Sequence, residues 1–343
     1  MDDDEHDDGG RSARHPVRRA ALGLVVGLLA LWFAVAAVGG VADAAGALGR
    51  VRPGWVGLAV LAGAARIGCY VAQVRAVGDR VGRLGWSESA EVAVLVYGVG
   101  AVLPASPAEG LAAAAWELRR EGRTRRETGL VLGLSEWFTQ RAFYGVAAVD
   151  LLLVVALDRL PWPGRTPVVV AGVAVLVVLV VSARLARRPG TAEVAAVWLG
   201  ALRWRRPVPS VEARRRVGHE VHDAALAVLG SPRARWTPAV WSVAATLADA
   251  VTLGAACAGA GIEVDVTGVV LASVVATVAT WVPLLPAGLG LVEASVPFVL
   301  HRMGAPAADA LAATVVHRAA GTLLPALVGA VVALRVRSRR GAR

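Results

Sequence analysis

Cysteine occurs only twice in the 343 residues, at Cys69 and Cys257. Both sit inside apolar segments with no Cys/His spacing around them, which excludes a disulfide framework and a zinc site. Lysine is absent, so all 36 basic side chains are arginine; Ala, Gly and Val are enriched uniformly, as a GC-rich coding bias would produce. Enzyme signatures are missing too: there is no P-loop, dinucleotide fingerprint, HExxH or Gly-x-Ser-x-Gly elbow. Asp2-Asp3-Asp4 is an acidic run, but it lies in a tail with no fold to position a metal. The acidic loop residues Glu263 and Asp265 stand too close to flanking apolar runs to hold a glycosyl-donor site. No cofactor and no metal is therefore expected.

What the chain has in abundance is apolar surface. Hydrophobic residues make up 56% of it, with mean hydropathy +0.59. A soluble domain of this size could not hide so much, and several runs approach the roughly 20 residues that cross about 30 Å of hydrocarbon. The formal charge of +10 could suggest nucleic acid. The arginines instead cluster in short loops beside apolar runs, the distribution of membrane orientation and anionic-lipid contact, so no nucleic-acid partner is expected. The acidic start, Asp2 to Asp8, reads as a disordered tail. The run 20–38 follows Arg18 and Arg19 but is long for a signal peptide, and reads as an uncleaved first helix.

Apolar stretches fall at about 20–38, 54–74, 90–116, 129–157, 166–183, 237–260, 267–300 and 311–334. Arg14, Arg18 and Arg19 place the N-terminus in the cytoplasm. Arg75, Arg80 and Arg83 follow the second stretch, and Arg119 to Arg126 follow the third, so both ends of 90–116 carry the cytoplasmic signature. That stretch is expected to enter the bilayer and turn back. The segment 184–236, rich in arginine and carrying Trp198, Trp204 and Trp236, reads as cytoplasmic and interfacial. The stretch 267–300 is then expected to enter from outside and return there. The last stretch reaches Arg335 to Arg340 in the cytoplasm. The expected fold is an all-α polytopic membrane helix bundle with about six full spans and two oppositely entering re-entrant hairpins. Both termini lie inside, and the halves form an inverted pseudo-repeat. Eight plain spans is the alternative, but it would place the Arg119–Arg126 cluster outside or else invert everything before it.

Both hairpin stretches are broken by proline and glycine and carry an acid: Pro104 with Glu109, and Pro286, Gly288 and Gly290 with Glu293. In lipid such breaks survive only against protein or a water-filled cavity, and a matching pair points to a transport site. A carboxylate at bilayer depth costs several kcal/mol unless paired or hydrated. Each acid either caps a half-helix or faces a headgroup or an arginine. Candidate partners are Arg66, Arg141 and Arg318. Glu136 lies five residues before Arg141. Asp249 has no neighbour in sequence and needs one in space. His317 could shuttle protons, though a satisfied buried histidine is the commoner case.

At these motifs the chain resembles the lysylphosphatidylglycerol synthase transmembrane-region family of flippase-like membrane proteins. Leu285 to Ala294 is similar to the family's Pro-x-Gly-x-Gly-x-x-Glu segment, followed by Gly304, the alanine-rich 307–313, His317-Arg318, Pro325 and Gly329. Leu103-Pro104-Ala105 with Glu109 resembles the first-half motif, with Ser106 and Ala108 where the family has Arg and Gly. Glu136 matches the acid of a Glu-Arg segment whose arginine is Trp137 here and whose later Asp is Gln140. The resemblance covers most of 20–335 and implies lipid translocation through a headgroup cavity formed by the hairpins. Two-part members carry a soluble aminoacyl-transfer domain, and with the chain ending at Arg343 only the membrane part is implied.

The expected organisation is a tail at 1–19, a transmembrane domain at 20–335 and a basic tail at 336–343. The expected function is transport, not catalysis, of a lipid or polyprenyl-linked amphiphile between leaflets of the cell membrane. Membrane lipids are the expected partners, with anionic phospholipid at the cytoplasmic face. The alternative is a membrane subunit or enzyme supporting lipid or glycan transfer, beside a lipid-modifying enzyme or glycosyltransferase.

Overall fold

The computed structural model describes residues 41–99, 106–157, 230–281 and 288–323, with isolated positions within 170–181 and 212–226 and at 325 and 327. The N-terminal tail and first apolar run, Pro104, Pro286, most of 166–183 and 184–229, and the C-terminal tail lie outside the described residues. Nine α-helices are described: α1 Val41–Gly49, α2 Pro53–Val81, α3 Trp86–Val94, α4 Ser106–Arg120, α5 Arg125–Ala156, α6 Pro232–Gly259, α7 Val266–Thr280, α8 Leu291–Arg302 and α9 Ala307–Arg318. π-helical turns continue α3 over Leu95–Val99 and α9 over Ala319–Leu323. No strand occurs among the described residues. The fold is all-α, as the apolar runs require.

Among the described residues, three helical segments are long and apolar enough to cross a membrane: Pro53–Val81, Arg125–Ala156 and Ala234–Gly259. The interrupted stretches differ. At about 1.5 Å per residue, the 15 residues of α7 and the 12 of α8 cover about 22 and 18 Å, short of a full crossing. Among the described residues the interrupted stretches lie in short helices, α3 and α4 for the first and α7 and α8 for the second.

Two compact units divide the chain. The first holds the described residues within 41–64, 94–113 and 249–323, so the described ends of both interruptions belong to it. Its core is built from small side chains, including Ala256, Ala272, Ala276, Ala310 and Ala313, with Leu253, Val292 and Leu300. Without water between them, membrane helices gain from close backbone approach, which alanine permits. Asp265 starts α7 as its N-cap, accepting the Gly268 N–H at 2.8 Å. A Cβ at Gly268 would meet the Met303 sulfur at 2.7 Å, so the start of α7 lies beside the end of α8 and the pair is antiparallel. Gly304, at φ 100°, ends α8 before Pro306 and α9.

The second unit holds residues 65–93 and 114–248. Val77, Leu134 and Phe138 pack together in it, with Trp137 and Ala239 against them. Thr124 opens α5 in a capping box with Glu127. Arg123 donates to the Gly82 carbonyl and, at 2.7 Å, to Glu88, tying the α4–α5 loop to the turn between α2 and α3. The Arg123 hydrogen bond holds the Glu88 carboxyl below its usual range. Glu91 of α3 lies with Glu117 and Glu121 of α4, their ligand atoms within 4.8 Å of one another. Burial, then repulsion from the neighbouring carboxylates, pushes Glu121 up to about 7.

Candidate functional site

The second kink delivers its acid by backbone geometry. Gly288 and Gly290 take φ values of 68° and 81°, a region that favours glycine. At Gly288 a Cβ would also stand 2.9 Å from the Ala279 carbonyl oxygen at the end of α7. The turn thus needs glycine there twice over, for conformation and for room. It places Glu293 in the first turn of α8, where helix N–H groups favour negative charge.

Glu293 is buried at 7% exposure, and both of its oxygens are used. Oε2 accepts the Gly290 N–H at 2.6 Å, capping α8. Oε1 accepts from Arg318 Nε at 2.9 Å. Arg318, the last residue of α9, is itself 8% exposed, and its Nη1 reaches Thr322 of the π-turn at 3.5 Å. The two expectations for this acid, helix cap and arginine partner, are met by the same carboxylate. Two charges removed from water recover the cost only with close geometry and further hydrogen bonds, which this pair has.

One residue before Arg318, His317 approaches Asp249 of α6, with Nε2 3.5 Å from Oδ1. Ser273 of α7 donates to the other Asp249 oxygen at 2.8 Å. All three side chains are buried. The spatial neighbour that Asp249 required is therefore His317, joined by Ser273, which the sequence reading did not single out. A serine in an apolar run carries no signal until its partner is known.

The remaining candidates divide between the units. Glu109, in the first unit, stands in the first turn of α4 with Oε2 buried and without a hydrogen-bond partner among the described residues. Beside it, a Cβ at Gly110 would lie 2.5 Å from the Val96 carbonyl of the first π-turn. A Cβ at Gly63 would likewise lie 2.8 Å from the Ala320 carbonyl of the second. π-turns leave the regular bonding ladder, and here each is met closely by a glycine backbone. In the second unit Glu136 accepts from Tyr70 at 3.0 Å, and Arg141 lies 4.1 Å from the Trp137 ring centroid. Arg66 sits half-buried on α2. Sequence reasoning missed Tyr70 and also Gln73, which is fully buried and donates to the Ser135 carbonyl at 2.6 Å and Thr139 at 3.0 Å.

Long apolar helices, short helices meeting at a glycine turn, and ionisable side chains buried among alanines define a multi-pass membrane protein. The family model for the lysylphosphatidylglycerol synthase TM region matches residues 20–329, and the chain belongs to that family. Membership makes it a membrane protein of lipid handling. No match was found among curated proteins.

Proposed function

We propose that this protein moves a lipid or polyprenyl-linked amphiphile between the leaflets of the cell membrane without converting it chemically. The observation that carries the reading is the buried Glu293–Arg318 pair at a glycine-hinged break. A polar headgroup crossing hydrocarbon needs fixed charges and irregular backbone at depth, which a bilayer tolerates only inside protein or beside water. In this reading the pair opens toward the headgroup. Glu293 meets a cationic or zwitterionic group and Arg318 a phosphate, while the acyl or prenyl tails stay in lipid. With no ATP-binding motif in the sequence, movement is downhill or ion-coupled. Both termini and the arginine-rich segments 117–128 and 184–236 face the cytoplasm, the latter resting on anionic phospholipid.

The test is lipid movement in reconstituted vesicles, scored by the fraction of labelled phospholipid that an impermeant quencher reaches. Quenching beyond half of the label in protein-containing vesicles is expected. A level equal to that in protein-free vesicles would contradict the reading. The family description, which names the membrane region of a synthase, favours one alternative: a membrane subunit serving lipid or glycan transfer. Inactive vesicles together with a transferase that co-purifies with the protein would decide for it.

A further inference from the structure

Beside the Glu293–Arg318 pair, two further ionisable side chains are buried among the described residues near α9, Asp249 and His317. Their geometry differs from that of a locked ion pair. At 3.5 Å the contact is longer than a charge-assisted hydrogen bond, and neither ring nitrogen of His317 has a hydrogen-bond partner among the described residues. The histidine is only 5% exposed. Asp249 has one oxygen held by the Ser273 hydroxyl and the other turned to the ring. An imidazole so placed can gain or lose a proton without breaking an existing hydrogen bond.

We propose that Asp249, His317 and Ser273 form a reversible proton-binding site inside the first unit. The balance is one proton. With it the pair is net neutral, as carboxylate with imidazolium or as carboxylic acid with imidazole. Without it the pair carries one negative charge. Buried side chains of this kind within membrane segments mark ion and proton pathways, because an unneutralised charge there is costly. Histidine is the side chain whose charge changes between about pH 5 and 8.

Other charged groups stand on α9 and on the helices packed against it. On α9 the next residue, Arg318, is already neutralised by Glu293 of α8. At the far end of α9, Asp309 pairs with Arg50 at 2.9 Å. From α1 comes the exposed Asp43, and α8 ends in His301, which bonds the Ala305 carbonyl, and Arg302. α7 contributes Ser273, and α6 contributes Asp249 itself. The pair thus sits beside an ion pair that is itself neutral.

Where the transport reading above holds, this site supplies the coupling ion. A proton bound while the site faces one side and released on the other drives lipid movement. The proton site and its coupling are separable by experiment. Proton uptake by the detergent-solubilised protein is measured between about pH 8 and pH 5, by potentiometric titration and by histidine ring resonances. The parent chain is expected to bind about one proton more than His317→Gln, and Asp249→Asn is expected to lose the same step. Ser273→Ala, the mildest change, removes a donor to the carboxylate and is expected to keep the step. A parent titration identical to that of His317→Gln, with no histidine resonance moving beyond the exposed ones, would overturn the site.

Vesicles with an imposed pH difference then read the coupling. Parent lipid movement is expected to change several-fold or more with the sign of the gradient, the usual size of coupling between two sites. Movement that ignores the gradient would overturn coupling and leave the transport reading intact. Absence of movement at any gradient would overturn transport and coupling together, while the titration still decides the site.

Discussion

Glu293 holds two partners at once: one oxygen takes the Gly290 N–H at 2.6 Å and the other takes Arg318 Nε at 2.9 Å. The carboxylate therefore joins the start of α8 to the end of α9. Losing either end has different consequences. Arg318→Met leaves a buried carboxylate without its cation and is expected to destabilise by about 3–5 kcal/mol. Adding Glu293→Gln to it is expected to recover a large part, since Gln can still accept the Gly290 N–H. A double-mutant cycle on thermal unfolding in detergent checks this, and additive losses would contradict it.

The glycine turn separates strain from crowding. Gly288 and Gly261 both have positive φ, 68° and 75°, but a Cβ at Gly261 meets nothing within 4 Å. Gly261→Ala is expected to cost the conformational term alone, about 1–2 kcal/mol. Gly288→Ala adds a 2.9 Å approach to the Ala279 carbonyl and is expected to lower folded yield and unfolding temperature further. Equal losses at the two positions would mean the backbone yields freely at the kink.

The carboxylates at the base of α3 and α4 set a pH dependence. Glu121 is pushed up to about 7 when folded, above its unfolded value, so the folded state holds that proton more tightly. Its contribution to stability is present at low pH and is lost as pH rises through about 7. Glu88, held low by Arg123, works the other way, and its contribution is lost as pH falls through its lowered value. Glu121→Gln is expected to flatten the decline in unfolding temperature on the way up to about pH 7. An unchanged slope would show that the cluster is too well solvated to matter.

Arginine density predicts orientation. Arg119, exposed at the end of α4, is expected to face the cytoplasm with the rest of the 119–126 cluster. Arg119→Cys should resist membrane-impermeant thiol reagents in intact cells and react once the membrane is opened. Labelling in intact cells would contradict the turning-back of 90–116.

How much of this could be read beforehand varies by residue. The helices follow from apolar runs bounded by arginine clusters, and the breaks at Gly288 and Gly290 from glycine spacing beside an acid. Arg318 was legible as a partner because an arginine deep in an apolar run must find a carboxylate. The Asp249–His317 contact was half legible: each residue declared a need, but 68 positions separate them, and only the fold of the first unit, which holds α9 and the 249–259 end of α6, brings them together. Ser273, Tyr70 and Gln73 were not legible, because neutral polar side chains in apolar runs carry little pattern. Glu136 found a tyrosine hydroxyl, a choice that depends on rotation of α2 and α5 rather than on composition.

In the proposed transport, the buried pair at the second kink meets the headgroup, so its charge must matter for movement. Glu293→Gln keeps the side-chain shape and the cap on Gly290 while removing the charge that Arg318 neutralises. The direct measurement is lipid movement by this variant in reconstituted vesicles, at matched protein content and with unfolding temperature recorded. The account predicts a folded protein whose lipid movement falls at least about tenfold, as loss of roughly 1.4 kcal/mol or more of differential interaction requires. A folded Glu293→Gln that moves lipid as fast as the parent would make the carboxylate a helix cap alone and contradict the account.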